Sequence, residues 1–390
     1  MSYDFDTVID RHGTNSLKWD FAVERKKPEG LLSMWVADMD FQALPEALED
    51  MAKVISHGIF GYTEVKQDYY DVVKRWFDAR FGFSFERQDV VKTPGVVFAL
   101  ALSVRAFTKA GDSVLIQTPV YYPFYEVIRD NGRKIVTSPL VYSNGVYTIN
   151  FADFEQKIVD NNVKLFILCS PHNPVGRVWT YDELSRISEI CKAHGVTVVS
   201  DEIHCDFVWG ENRHTCFALL DKDAIVATAP SKTFNLAGLQ VSNIIVKNPE
   251  RRLKIKAEID KTGYSQVGTL GLVACQSAYA KGEAWLDELK AYIEGNISFI
   301  KDFRAKNLPK ITLVEPQGTY LLWLDFSAYG LSQSELDTRV ISGANLWLDS
   351  GTMFGVEGTN FQRVNIACPR SVLADALNRL AHEFADNKKI

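Results

Sequence analysis

Apolar and polar positions along the chain change period in an orderly way. After Pro45, apolar Leu48, Met51, Val54 and Ile55 form a helical stripe, with proline in the first turn, where its missing N–H does no harm. His57-Gly58-Ile59-Phe60-Gly61-Tyr62 interrupts it, and the paired glycines predict a turn. Helices are expected from about 66 to 80 and, after Thr93-Pro94-Gly95, along an apolar run to about 108. Short apolar runs then predict strands at 113–117, near 135, and at 164–169, 196–200, 224–227 and 241–246. Between them lie helices ending near 131 and at 151–161 and 181–194, and a hairpin on Asn144-Gly145. This alternation predicts an α/β fold whose mostly parallel central sheet carries helices on both faces. Helices are expected at 249–262 and 267–307, the latter broken near Lys281-Gly282-Glu283. From Lys310 the pattern changes to strands at 311–314, 319–326, 345–348 and 361–367, with helices near 332–341 and from about Ser371, which predicts a smaller α+β domain. The expected division is an arm at 1–45 shared with the small domain, a large domain at 46–285 and a small C-terminal domain at 286–390.

Composition narrows the function classes. At 390 residues, with 46% apolar and 24% charged positions, the chain reads as a globular protein too long for one typical core. A net charge of −6 and the lack of any basic run argue against a nucleic-acid partner. Met1-Ser2-Tyr3-Asp4-Phe5-Asp6 has no signal-peptide character, and the longest apolar stretch, Val96 to Val104, is about half what a bilayer span needs, so no membrane role is expected. The cysteines are scattered without a CxxC pair, which suits a reduced, cytoplasmic setting.

The chemistry gathers at strand ends. Leu165–Cys169 runs into Ser170-Pro171-His172-Asn173-Pro174-Val175-Gly176, and Val196–Val199 into Ser200-Asp201-Glu202-Ile203-His204. Ala224–Ala227 leads to Ala229-Pro230-Ser231-Lys232-Thr233-Phe234-Asn235. Three buried strands ending in polar residues point to one site at a sheet edge. An amine there is costly as an ammonium and useful as a neutral nucleophile, because desolvation lowers its pKa. Asp201, Glu202 and His204 invite a metal, but strand alternation turns Glu202 to the opposite face, so no metal is expected. Gly95 before an apolar helix is either a plain cap or an anion seat. Arg363, on the apolar strand Phe361–Ile366, is either a structural ion pair or a carboxylate clamp.

Taken in order and at their spacing, the Asn-Pro-x-Gly turn, the Asp-Glu-x-His strand end and the Ser-Lys-x-Phe-Asn-x-x-Gly loop resemble the fold-type I pyridoxal-phosphate enzymes of the aspartate aminotransferase superfamily. Within it, His204 and the segment Trp35–Phe41 resemble the cystathionine β-lyase branch of carbon–sulfur lyases. The resemblance implies pyridoxal 5′-phosphate as cofactor and Lys232 as the catalytic amine that carries it. It implies Asp201 at the pyridine nitrogen, Asn173 and His204 near the 3-oxygen, and Tyr121 stacked on the ring. Gly95, Val96, Val97 and Ser231, with Thr228 as a further hydroxyl, would hold the phosphate, joined by Tyr62 from a neighbouring subunit of a homodimer with shared sites. Arg363 would clamp the α-carboxylate of a small amino-acid substrate, with Ala37 of the arm also binding substrate. Asp38 and Asp40 would suit a distal ammonium, and Arg370 is expected to be structural. Ala229 and Gln240 depart from a frequent serine and a phosphate-binding arginine. The implied activity is β-elimination from cystathionine- or cysteine-type thioethers to pyruvate, ammonia and a thiol, with aminotransfer as the alternative.

Overall fold

The computed structural model describes residues 3–385. Seven strands form the central sheet: β1 (Val90–Thr93), β2 (Ser113–Thr118), β3 (Lys134–Pro139), β4 (Leu165–Cys169), β5 (Thr197–Asp201), β6 (Ile225–Thr228) and β7 (Ser242–Ile245). Their spatial order is β1-β7-β6-β5-β4-β2-β3, and the strands from β3 to β6 pair in parallel. Only β7 runs against its neighbours. The reversal has a local cause. After β6 the chain makes two short turns and passes Gln240 at φ 51, then returns beside the strand it left without a crossover helix.

Alternation within the strands puts a helical layer on each face. Val114, Ile116, Leu165, Ile167 and Val199 pack with the helix Val96–Phe107 and with Ile255 of Pro249–Thr262. Leu115, Phe166, Leu168 and Val198 pack on the other side, with Phe154 and Ile158 of Phe151–Asp160 and Leu184 and Ile187 of Tyr181–Ala193. The fold is the mixed α/β arrangement that the periodicity predicts, with most of the sheet parallel.

The C-terminal part carries an antiparallel sheet of Thr312–Leu313, Leu321–Asp325, Phe361–Asn365 and Asp349–Ser350. The predicted strand at 345–348 does not join it. Leu346–Trp347 instead pairs in parallel with Leu32–Ser33 of the arm, where Trp35 and Trp347 stack at 4.5 Å. The predicted helix near 332–341 is Gln333–Thr338 followed by a wide π turn, Arg339–Gly343. The break near Gly282 separates Thr269–Lys281 from the 25-residue helix Glu283–Asn307, so a division at 285/286 falls inside a continuous helix. Among the described residues no helix is long and apolar enough to cross a membrane.

Candidate active site

Register fixes where the strand ends meet. Cys169 of β4 lies opposite Asp201 of β5, and Asp201 opposite Ala227 of β6, so the three polar extensions leave the sheet at one level. A cavity of about 350 Å3 opens there. Ala37, Gly95, Val96, Val97, Tyr121, Asn173, Asp201, His204, Ser231 and Lys232 all line it. Arg363 and Tyr62 do not. Arg363 sits one contact behind, donating from Nη1 to Asn173 Oδ1 at 3.0 Å, whereas Tyr62 is 98% exposed on the loop after the first helix. Sequence reasoning missed the apolar lining of Phe98, Ile203 and Ala237, together with Cys169. It also missed Tyr320, a buried residue with no motif around it to mark it.

Lys232 rides on the one-turn helix Pro230–Thr233, started by proline directly after β6. Its Nζ donates to the Ala37 carbonyl at 2.9 Å, and the Tyr320 hydroxyl donates to the same oxygen at 2.8 Å. Burial lowers the amine to about 8, with Arg363 adding to the effect and Asp38 and Asp201 opposing it. Burial raises the Asp201 carboxyl to about 7, against a hydrogen bond from the Ile203 N–H at 3.1 Å. An acid and a base that both titrate near neutrality therefore share one cavity. His204 is held neutral by burial and by the cations of Lys232 and Arg363, and its Nδ1 is buried with no hydrogen-bond partner. Glu202 points to the opposite face from Asp201, where it accepts from Ser200, from the Phe217 N–H and, at 2.9 Å, from His214.

At the far end of the cavity the helix Val96–Phe107 presents its N-terminus. Gly95 caps it at φ 122, a conformation that a side chain disfavours. The Gly95 N–H is already taken by Ser242 Oγ at 3.1 Å, which leaves the first-turn N–H groups of Val96 and Val97 without intrahelical acceptors. The Thr228 hydroxyl donates to the Asn243 carbonyl at 2.7 Å and does not line the cavity, so it offers no hand to an anion there. Gln240 lines the cavity, with its amide donating to Ala237. The acidic arm is also not as the sequence suggested. Asp40 is buried on Lys18 at 2.7 Å and Arg11 at 2.9 Å, and Asp38 pairs with Arg11 at 2.7 Å, so neither stands free for a distal ammonium. Arg363, 2% exposed, is bound by Asp349, by the Trp35 carbonyl at 2.8 Å and by Asn173, while its Nε–H is buried without an acceptor. Arg370 opens the last helix and contacts Asn296 and Tyr292.

These features fit pyridoxal phosphate. A flat ring matches the face of Tyr121, a ring nitrogen matches the protonatable Asp201 carboxyl, and a 3-oxygen matches the unpartnered His204. A dianion matches the helix end.

The comparisons agree with this geometry. The family model for aminotransferase class I and II matches residues 32–380. Cystathionine β-lyase PatB of Bacillus subtilis is 45% identical over 381 residues, covering 96% of this chain and 98% of that protein. Protein MalY of Escherichia coli is 34% identical, covering 95% and 96%. The crystal structure of cystalysin from Treponema denticola, which contains pyridoxal 5′-phosphate, superposes with a TM-score of 0.95 at 40% identity and full coverage of both chains. With a model match over nearly its whole length and relatives of this similarity, the chain belongs to the aminotransferase class I and II family.

Proposed function

We propose that the protein is a pyridoxal-phosphate-dependent carbon–sulfur β-lyase. It takes cystathionine- or cysteine-type thioethers and, with one water, yields pyruvate, ammonia and a thiol, which is homocysteine in the case of cystathionine. The observation that carries the reading is that Lys232, lowered to about 8, and Asp201, raised to about 7, line one cavity in a chain 45% identical to a protein named cystathionine β-lyase.

The cofactor, when bound, supplies an electron sink that lets a proton leave Cα and a sulfur group leave Cβ. Lys232 anchors it and then, as a free amine, accepts the Cα proton. Asp201 would pair with the ring nitrogen, Asn173 and His204 would hold the 3-oxygen, and Tyr121 would stack on the ring. The helix end at Gly95–Val97 and Ser231 would take the phosphate, and Lys232 is the only cation lining the cavity among the described residues. With so little charge to meet a dianion, a further hydrogen-bond donor is wanted, which supports a contribution from the hydroxyl of Tyr62 of a second copy. Exposed Ile59, Phe60 and Tyr62 form an apolar loop suited to burial in a homodimer. Arg363 clamps the α-carboxylate, a role supported by its buried, unpartnered Nε–H. Ala37, in contact with Lys232, contributes to the substrate side. The six cysteines are all free and buried, which supports a reduced cytoplasmic setting. The arm at 1–45 and residues 286–390 are taken together as the small domain, a division supported by the pairing of Leu32–Ser33 with Leu346–Trp347.

The test is incubation of holoenzyme with cystathionine and no added oxo acid. Sustained, near-equimolar pyruvate and homocysteine over many turnovers support the lyase. One equivalent of turnover that resumes only when an oxo acid is supplied makes the protein an aminotransferase.

A further inference from the structure

The N-terminal arm contains a lysine that the functional reading leaves unused. Lys18 is 1% exposed, and a charge so deeply buried demands partners. It donates to Asp40 Oδ2 at 2.7 Å, while Arg11 spans Asp40 Oδ1 at 2.9 Å and Asp38 Oδ2 at 2.7 Å. Asp40 also accepts from the Trp19 indole at 3.2 Å, so both of its oxygens are matched. Asp38 is not so well served. Its Oδ1 is buried without a hydrogen bond, and the Lys18 ammonium stands off at 3.9 Å. Asp38 directly follows Ala37, whose carbonyl holds the Lys232 amine at 2.9 Å. The backbone there is clamped by Asn365, which donates to the carbonyls of Val36 and Asp38, so the carboxylate and the amine keep their relation.

We propose that Asp38 and Arg11 are positioning residues that tune the proton affinity of Lys232, Asp38 through its incompletely matched charge and Arg11 by screening that charge. The proposal rests on Lys232 being the reacting amine. The groups around Lys232 are Asp38 from the arm, Asp201 from β5, His204 just beyond that strand, and Arg363 and Tyr320 from the C-terminal part. Asp38 and Asp201 favour the ammonium, whereas burial and Arg363 favour the free amine. Because the amine sits at about 8, each half unit changes its free fraction at neutral pH about threefold. A packing role would disturb both variants alike, but the electrostatic role gives them opposite signs. Removing Asp38 frees the proton, and removing Arg11 exposes Asp38 and holds the proton more tightly.

The experiment measures the pKa of Lys232 in cofactor-free protein by trace acetylation across pH, quantified on the Lys232 peptide by mass spectrometry. The pH profile of kcat is recorded on the holoenzyme in parallel. Asp38→Asn is expected to lower the Lys232 value by about half a unit, and Arg11→Gln to raise it by about as much. Arg11→Gln added to Asp38→Asn is expected to shift it little further. Shifts in the same direction, or none, overturn the proposal. If Arg11→Gln does not fold, Asp38→Asn decides the sign, and Arg11→Lys, which keeps the charge, is expected to match wild type. Borohydride reduction of the holoenzyme with peptide mapping comes first. A label away from Lys232 defeats the functional reading itself, whereas a label on Lys232 with an unresponsive pKa defeats only this inference.

Discussion

Replacing Arg363 with lysine separates its two possible roles. Arginine has five donors in a fixed plane, and here that plane is held by Asn173 at 3.0 Å, by the Trp35 carbonyl at 2.8 Å, by Asp349 and by packing over Phe354 at 4.8 Å. A lysine ammonium keeps the charge beside Asp349 but is a point, without the fork that grips both oxygens of a carboxylate. If the fork binds the α-carboxylate, kcat/KM for cystathionine should fall by about tenfold to a thousandfold, or ~1.4–4.2 kcal/mol of transition-state binding. Because the carboxylate is gripped before and during reaction, most of the loss should appear in KM. Initial rates of pyruvate formation, coupled to lactate dehydrogenase over a range of cystathionine concentrations, give both constants, and a thermal melt checks folding. A well-folded Arg363→Lys protein with unchanged kcat/KM would refute the clamp and leave Arg363 as the ion-pair partner of Asp349.

Three further outcomes are expected. The Asp201 carboxyl is raised from 3.8 to about 7, so the cofactor-free protein loses stability as pH climbs through that window, by as much as ~4 kcal/mol. Asp201→Asn should therefore melt above wild type at pH 8 without cofactor and level with it at pH 4; an equal gap at both values would disprove the assignment. Gly95→Ala should cost about 1–2 kcal/mol, because φ is 122 while the nearest atom to a new Cβ, at 3.6 Å, is no clash; a melt equal to wild type would remove the strain argument. Mixing Tyr62→Phe with Lys232→Ala protein should restore part of the lyase activity if sites are shared, since a hybrid dimer holds one site free of both defects. Subunit exchange without recovery would assign each site to a single chain.

Much of the fold is written in local pattern. The strands that end at Cys169, Asp201 and Thr228 are unbroken apolar runs followed by polar residues, and that contrast alone locates the edge of the sheet where the cavity lies. The opposed directions of Asp201 and Glu202 follow from strand alternation. What the pattern hides is non-local. Nothing near β7 marks it as reversed, because direction is set by the return path after Lys232. Asp349 gives no sign in sequence that it faces Arg363, since the pairing depends on the register of two short strands. The fate of Asp40 was equally hidden, because its partners Arg11 and Lys18 lie in an irregular stretch with no period to read. Thr228 looked available beside the lysine, yet its hydroxyl is drawn into the turn toward β7.

The parallel pairing of Leu32–Ser33 with Leu346–Trp347 has a consequence for how the protein is made. Asn345 and Gly30, which flank that pairing and are themselves hydrogen bonded, lie 315 residues apart. A chain emerging from the ribosome can pair β2 with β3 and then add β4, β5 and β6 in sequence, while β1 waits for β7. The strand Leu32–Ser33 has no such partner until nearly the whole message has been read, although Met39 and Phe41 behind it can bond Asn235 earlier. Until then Leu31 and Trp35, buried with Trp347 in the finished protein, lack that cover. The clamp of Asn365 on the carbonyls either side of Ala37 therefore forms last, and a ribosome stalled before residue 346 carries a cavity whose roof is unfastened.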